Sequence, residues 1–479
     1  MSDAGLLSPV TASPLVAALT GDDAVLGAIL AVESGWAAVL EKAGLAPAGS
    51  AAVVLSAADP HRYNAADIAA RAQGGGNPVI PLLQDLRAHA TELDTAGTGA
   101  ASHVHASLTS QDVLDTALMV LSRNTVGAVL ADLRTITTAL AALAEQHVDT
   151  LCVGRSLTQH SLPYSFGLRA AQWLHGVAAA DRRLAAAELP VQFGGAAGTL
   201  AAGTRLTAGS GTDPFQLASA LAGQLDLATP PAPWHTNRLA VTSLGNALAS
   251  VLDAFGKIAA DVLFLSRPEV AEVAEPRAAG RGVSSAMPQK QNPVLSVLIR
   301  SAALQAPQLV AQLHVAAANF NDERPDGAWH SEWQALRQLL ALTQGAAGHV
   351  RELTGGLQLF PEAMRRNLDL AGPLLLAEGV VAAVAPLLDG ASGSGATGAS
   401  GTSGKQQLQA VVDQALQLPP AEQAAGYRRL LRAAVPHEVL PDSRLNELLD
   451  PANYLGESRA IIGRILAAYP PASNGAQHD

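Results

Sequence analysis

The chain has 479 residues, 49% of them apolar but only 4% aromatic, with 15% charged and a net charge of −11. That length is too great for one ordinary core, and an apolar fraction supplied mainly by Ala and Leu favours helices over a sheet of Val, Tyr and Phe. So little charge excludes a chain-length disordered segment or rod, and an acidic balance with pI near 5.6 excludes a broad basic face for nucleic acid. The N-terminus, MSDAGLLSPV, has no basic stretch followed by an apolar run, so no secretory signal is expected. Cys152 is the only cysteine, which rules out an internal disulfide and a cysteine-based zinc site and suits a reducing compartment. The longest apolar stretch, around residues 373–388, is broken by Glu378 and reads as too short to span a bilayer. A soluble cytoplasmic protein is expected, without a membrane partner.

In chain order, residues 51–55 (AAVVL) form the best strand candidate. Alternation is sustained nowhere, so a central parallel sheet is not expected. GGGNP at 74–78 breaks the N-terminal third. HASLTSQDVLDT at 105–116 reads as a helix start, where the oxygens of Thr109, Ser110 and Asp112 cap free N–H groups and unused N–H groups can receive an anion. A helical seam continues through Val126, Leu130, Leu133, Ile136, Leu140 and Leu143. Residues 194–211, rich in Gly, Ala and Thr, lie between helical stretches. From Leu244 the apolar positions run Leu248, Val251, Phe255, Ile258, Val262 and Leu265, a heptad seam on a long helix. Periodicity alone leaves open whether these seams build a monomeric bundle or one shared between subunits. Residues 280–293 form a Gly/Ser/Pro loop. Residues 390–404 (GASGSGATGASGTSG) read as a flexible surface insertion. The expectation is an all-α chain in three parts: an N-terminal domain at 1–110, a central long-helix bundle at 111–358, and a C-terminal helical domain at 359–479.

The most informative segment is GVSSAMPQKQNP at 282–293. Hydroxyls, an ammonium and an amide in one Gly-flanked loop can close over an anion, and its N–H groups can stabilise developing negative charge. Lys290 is one of only four lysines, so its position there is informative. The segment resembles the signature loop of the aspartase/fumarase superfamily, Gly-Ser-Ser-x-Met-Pro-x-Lys-x-Asn-Pro, with Val283 in place of a Gly. Residues 105–116 resemble a second motif, His-x-Gly-x-Thr-Ser-x-Asp-x-x-Asp-Thr, with Ser107 in place of Gly. GRSLTQHSLP at 154–163 resembles a third, with Leu157 where the family commonly has a histidine that serves or supports the general acid. That loss argues against argininosuccinate- or adenylosuccinate-type activity. Gln159-His160 is similar to the bacterial 3-carboxy-cis,cis-muconate cycloisomerase branch, as are GNPVIPL (76–82), QFGGAAGTL (192–200), PWHTNR (233–238), ERPDGAWHSEW (323–333) and LDPANYLG (449–456).

The resemblance implies a homotetramer with composite active sites, a small polycarboxylate substrate and no cofactor. It implies lactonisation of 3-carboxy-cis,cis-muconate through an enolate-like intermediate. Ser284 would be the acid/base residue and His160 a second proton carrier, since an imidazole exchanges protons near neutral pH. Lys290, Asn292, Thr109, Ser110, Gln159, Arg155, His105, Ser285 and Arg238 are the candidate substrate-binding residues. The rival readings are another lyase of the superfamily, which eliminates an amine, nitrite or similar group from a succinate-type substrate, and an inactive helical scaffold. GGAAG at 194–198 lacks the strand and the Lys-Ser/Thr of a phosphate cradle. His103 and His105 lack a third ligand at metal-site spacing, so no catalytic metal is expected. Trp329 and Trp333, four residues apart, read as packing residues.

Overall fold

The computed structural model describes residues 5–283, 286–287, 289–391 and 402–470. The all-α expectation holds: the long elements are the helices Asp22–Lys42, Ser110–Gln146, Phe166–Ala185, Leu239–Leu265, Val294–Ala318 and Ala328–Gly356. Contacts divide the chain into two compact units. The first comprises Met1–Thr135, Val177–Ala260 and Val294–Glu352; the second comprises Ile136–Gly176, Asp261–Pro293 and Leu353–Asp479. Most boundaries fall inside long helices, so no single cut in the chain separates the units.

In the first unit, Trp36, Leu40, Val54, Leu82 and Leu86 lie in one buried cluster. Trp36 packs against Phe193 at 4.8 Å and donates its indole N–H to the Ala106 carbonyl at 2.8 Å. Residues 51–55 are not a strand. They belong to the helix Ser50–Ala57, because Ser50, Val54 and Ala57 are its buried positions and that spacing is helical. The seam from Leu244 to Leu265 is buried throughout within one chain, so it needs no second subunit to cover it.

In the second unit, Val380, Val384, Leu408, Val411, Tyr427 and Leu431 pack together from three C-terminal helices. The helix Ala377–Ala391 runs into the low-complexity segment, and the next, Gly404–Leu416, starts from a capping box at Ser403. Residues 392–401, the middle of the expected insertion, lie outside the described residues.

The sequence reading missed an antiparallel hairpin, Leu151–Ser156 with Gln159–Ser165. Ser156 pairs with Gln159, leaving Leu157 and Thr158 as a two-residue turn. Their φ angles are +48° and +71°, as a type I′ turn requires. The pattern was hidden because neither residue is the usual Asn or Gly, and Pro163 sits inside the second strand.

Among the described residues, four helical stretches are long and apolar enough to cross a bilayer: Pro14–Lys42, Ser110–Gln146, Val294–Ala318 and Pro361–Ala391. This corrects the reading that the apolar runs are too short, and follows from long Ala/Leu stretches with few charges. The Ser110–Gln146 helix also carries buried Asp112, Asp115 and Asp132. Asp132 accepts from Gln344 at 2.9 Å and Arg351 at 2.6 Å, as expected of a helix facing a protein interior.

A leucine and a β-branched threonine are poor occupants of the left-handed region. Replacing Leu157-Thr158 by Asn-Gly should therefore stabilise the protein by about 1 kcal/mol. The check is a higher urea midpoint at unchanged slope; a lower midpoint would show that the native turn side chains hold the hairpin.

Candidate active site

The first unit holds His105, Thr109, Ser110 and Arg238. Asp112, in the first turn of the Ser110–Gln146 helix, accepts the Thr109 N–H at 3.0 Å and so closes the helix start from inside. Its carboxylate also accepts the N–H groups of Gly194 at 2.8 Å and Gly195 at 3.0 Å. The glycine loop thus receives an anion, but an internal one. Burial pushes the Asp112 carboxyl up to about 8, against those three N–H groups, which favour its charged form. The Thr109 hydroxyl accepts from the Arg324 guanidinium at 3.1 Å, and Arg324 lies over the Trp329 ring at 5.3 Å. Arg324 is exposed. No local pattern links position 324 to 109, so the role of Arg324 is not legible in the sequence.

His105 has its Nδ1 2.7 Å from a carboxylate oxygen of fully buried Glu33. A carboxylate there holds the proton on Nδ1 and leaves Nε2 for other work. Arg238 takes a different place from the one expected. It is 2% exposed, forms a forked pair with Asp115 at 2.8 and 2.9 Å, and also bonds Glu332. The rings of Trp234 and Phe320 flank it at 4.6 and 4.7 Å. A guanidinium so enclosed is structural and has no face for substrate. Burial opposes its charge, but Asp115 and Glu332 outweigh that and hold its pKa up, while burial pushes Glu332 up to about 7. Trp329 is a packing residue, edge-on to Trp333 at 4.7 Å, and it donates to Asp115 at 2.8 Å.

The second unit holds Arg155, Gln159, His160, Lys290 and Asn292. Arg155 is paired with buried Glu272 at 2.5 and 3.3 Å, so its charge is already matched. Gln159 is exposed at the hairpin end, its amide on the Thr158 hydroxyl at 3.2 Å. His160 pairs across the strands with Arg155, is partly buried, and has no hydrogen-bond partner among the described residues. Burial lowers its pKa and Arg155 lowers it further, while Glu272 raises it. The opposite flank of the hairpin, Gly154 and Ser161–Tyr164, bounds a cavity of about 690 Å³ with residues 453–458 and Ile461.

The signature loop is pinched at its base. The Gly282 carbonyl accepts both the backbone N–H (2.9 Å) and the side-chain amide (3.1 Å) of Asn292. Gly282 has φ +69°, and a Cβ there would meet the Asn292 carbonyl at 2.5 Å, so only glycine fits. Asn292 therefore shapes the loop. Val283 is exposed and its backbone bridges to Gln291, which ties down the loop's entry. Lys290 is exposed, and its ammonium has no partner among the described residues. Ser284 and Ser285 lie outside the described residues. Among the described residues no group of three His, Cys, Asp or Glu side chains is placed to hold a metal ion.

A long-helix fold with a Gly-pinched Ser/Lys loop and a capped helix start bearing hydroxyls defines a lyase of the aspartase/fumarase type. The family model described as Lyase matches residues 32–307, and the chain belongs to that family. It is 42% identical over 468 residues to nitrosuccinate lyase of Streptomyces davaonensis, covering 96% of this chain and 94% of that protein. It is 35% identical over 464 residues to 3-carboxy-cis,cis-muconate cycloisomerase of Bradyrhizobium diazoefficiens, covering 96% and 97%. Among solved structures, the 3-carboxy-cis,cis-muconate lactonizing enzyme from Pseudomonas putida superposes with a TM-score of 0.83 at 32% identity, covering 97% of this chain and 98% of that one.

Ser107, which stands where the resemblance expects Gly, has φ +64° and a buried hydroxyl without a hydrogen bond among the described residues. Ser107→Gly removes both penalties, and should raise the unfolding free energy by about 1 kcal/mol. A thermal or urea midpoint below wild type would show that the hydroxyl has a partner in solution.

Proposed function

We propose that the protein is a lyase that eliminates nitrite from a nitrosuccinate-type dicarboxylate. The observation that carries this reading is 42% identity, over nearly the full length of both chains, to a nitrosuccinate lyase. The chemistry of the site supports it. A base removes a proton from the carbon next to one carboxylate, and the electron pair moves into that carboxylate as an enolate. The pair then returns to form the double bond as the C–N pair departs with nitrite. The products are an unsaturated dicarboxylate, nitrite and one proton. Nitrite leaves as a stable anion and needs no general acid, so exposed Leu157, where relatives commonly carry an acidic-role histidine, is no handicap. Ser284 is the proton carrier at carbon by resemblance. By resemblance, Lys290, Ser285, Gln159, Thr109, Ser110 and His105 are the candidate donors for the carboxylates and the enolate, and exposed Arg324 is a further cation.

The cycloisomerase reading is favoured by the likeness to the lactonizing enzyme. The same enolate chemistry serves it, with a substrate carboxylate oxygen adding to the double bond. A homotetramer is inferred from Val297, Leu304 and Val315, exposed apolar residues that fall on one face of the Val294–Ala318 helix and suit a bundle completed by other subunits. Purified protein mixed with 2-nitrosuccinate should release nitrite, read colorimetrically, together with the rising ultraviolet absorption of the new double bond. Ser284→Ala should abolish both. Bleaching of 3-carboxy-cis,cis-muconate without nitrite release would replace this reading with the cycloisomerase one. Inertness of folded protein towards both would leave the scaffold.

His160 accepts a proton only when neutral, and its pKa lies below the ordinary 6.5. The rate, kcat/KM, should be flat at neutral pH and fall as pH drops through that lowered value. His160→Gln should remove this acid limb and reduce kcat by about 10²–10⁴-fold.

A further inference from the structure

Arg155 and His160 sit opposite each other on the hairpin, so their side chains share one face of it. Arg155 is gripped by Glu272, whose side chain is 1% exposed. Glu272 is itself fixed. Its Oε1 accepts the Asn367 amide at 2.8 Å, and the same amide nitrogen donates to the Val270 carbonyl at 2.8 Å. Its N–H donates to the Leu265 carbonyl at 2.9 Å and its carbonyl accepts from Phe360 at 3.0 Å. Phe264 lies under the Arg155 guanidinium at 5.2 Å and under that of Arg267 at 5.3 Å. The carboxylate is thus held from its own backbone and from the helix Pro361–Ala371, and it reaches the one rung of the hairpin that carries His160.

We propose that Glu272 is a positioning residue for His160: by clamping Arg155 it fixes that rung, and it cancels the positive charge the imidazole would otherwise face. This rests on the reading of His160 as a proton carrier. The charged groups on the packed elements are Arg155 on the paired strand, Glu272 and Arg267 after the helix Leu239–Leu265, Arg169 over the Tyr164 ring at 5.5 Å, and Glu362, Arg365, Arg366 and Asp369 of the helix Pro361–Ala371, where Arg365 and Asp369 pair at 2.9 Å beside a cavity that Pro163 also lines. Arg155 and Glu272 act on the imidazole in opposite senses. Removing one leaves the other unopposed, and one unbalanced charge on the imidazole's face of the hairpin shifts a titration by roughly one unit.

The test is the His160 imidazole titration, followed by NMR on full-length protein with labelled histidine and assigned by its loss in His160→Gln. In Glu272→Gln the midpoint should move down by roughly one unit, and the acid limb of kcat/KM should move with it. The double variant Arg155→Met/Glu272→Leu removes both charges and should return the midpoint towards wild type. A midpoint that stays put or rises in folded Glu272→Gln overturns the proposal. If that variant does not fold, Arg155→Met carries the opposite sign: the midpoint should rise, and its failure to rise overturns the proposal equally. The NMR midpoint reads the clamp whatever the reaction. If His160→Gln turns over at the wild-type rate, the proton-carrier reading fails instead, while the midpoint still reports on Glu272.

Discussion

The first unit depends on one buried ionic knot, Arg238 between Asp115 and Glu332. Asp115 stands five residues into the Ser110–Gln146 helix and also accepts the Trp329 indole, so one carboxylate joins three distant segments of the chain. One guanidinium faces two carboxylates, and burial drives the surplus charge towards protonation of Glu332, near 7. Such a knot adds little net stability against a well-packed apolar replacement, but removing only one partner strands a buried charge and costs about 3–5 kcal/mol. Its effect is therefore to specify register. It holds the beginning of the long helix against the Ala328–Gly356 helix, so Thr109 meets Arg324, and Asp112 meets the glycine loop.

The second unit repeats the logic with Glu272, Arg155 and Asn367. In both units an arginine that a sequence pattern offers for substrate is neutralised by a buried carboxylate. In both, a different cation, Arg324 or Lys290, stays exposed. This division of labour follows from solvation. A cation matched by a fixed internal carboxylate keeps a hairpin or helix in place, whereas an exposed one keeps its charge available for a dianionic ligand.

The long helices were legible because their apolar period is strong; the seam from Leu244 to Leu265 matches a helix ending at Leu265. The helix start at Ser110 was legible from Thr109 and Asp112, and the loop at 282–293 from its composition. The hairpin was not, because its left-handed turn carries Leu157 and Thr158, residues that signal nothing of the kind. The short helix at Ser50–Ala57 was misread because five apolar residues fit either period. The fates of Arg155 and Arg238 were invisible for another reason: Glu272 lies 117 residues from the first, and Glu332 94 from the second, so no window contains both members of either pair.

The hairpin carries both Leu157, at the position where a histidine was expected, and His160. Its tip is an exposed leucine in a strained turn, and the ionisable group lies back on the strand, partly buried and biased towards neutrality. A proton donor for a poor leaving group needs the opposite bias, a charged form favoured near neutral pH. A neutral imidazole is instead suited to accepting a proton, and an acceptor is enough when the departing group is already a stable anion.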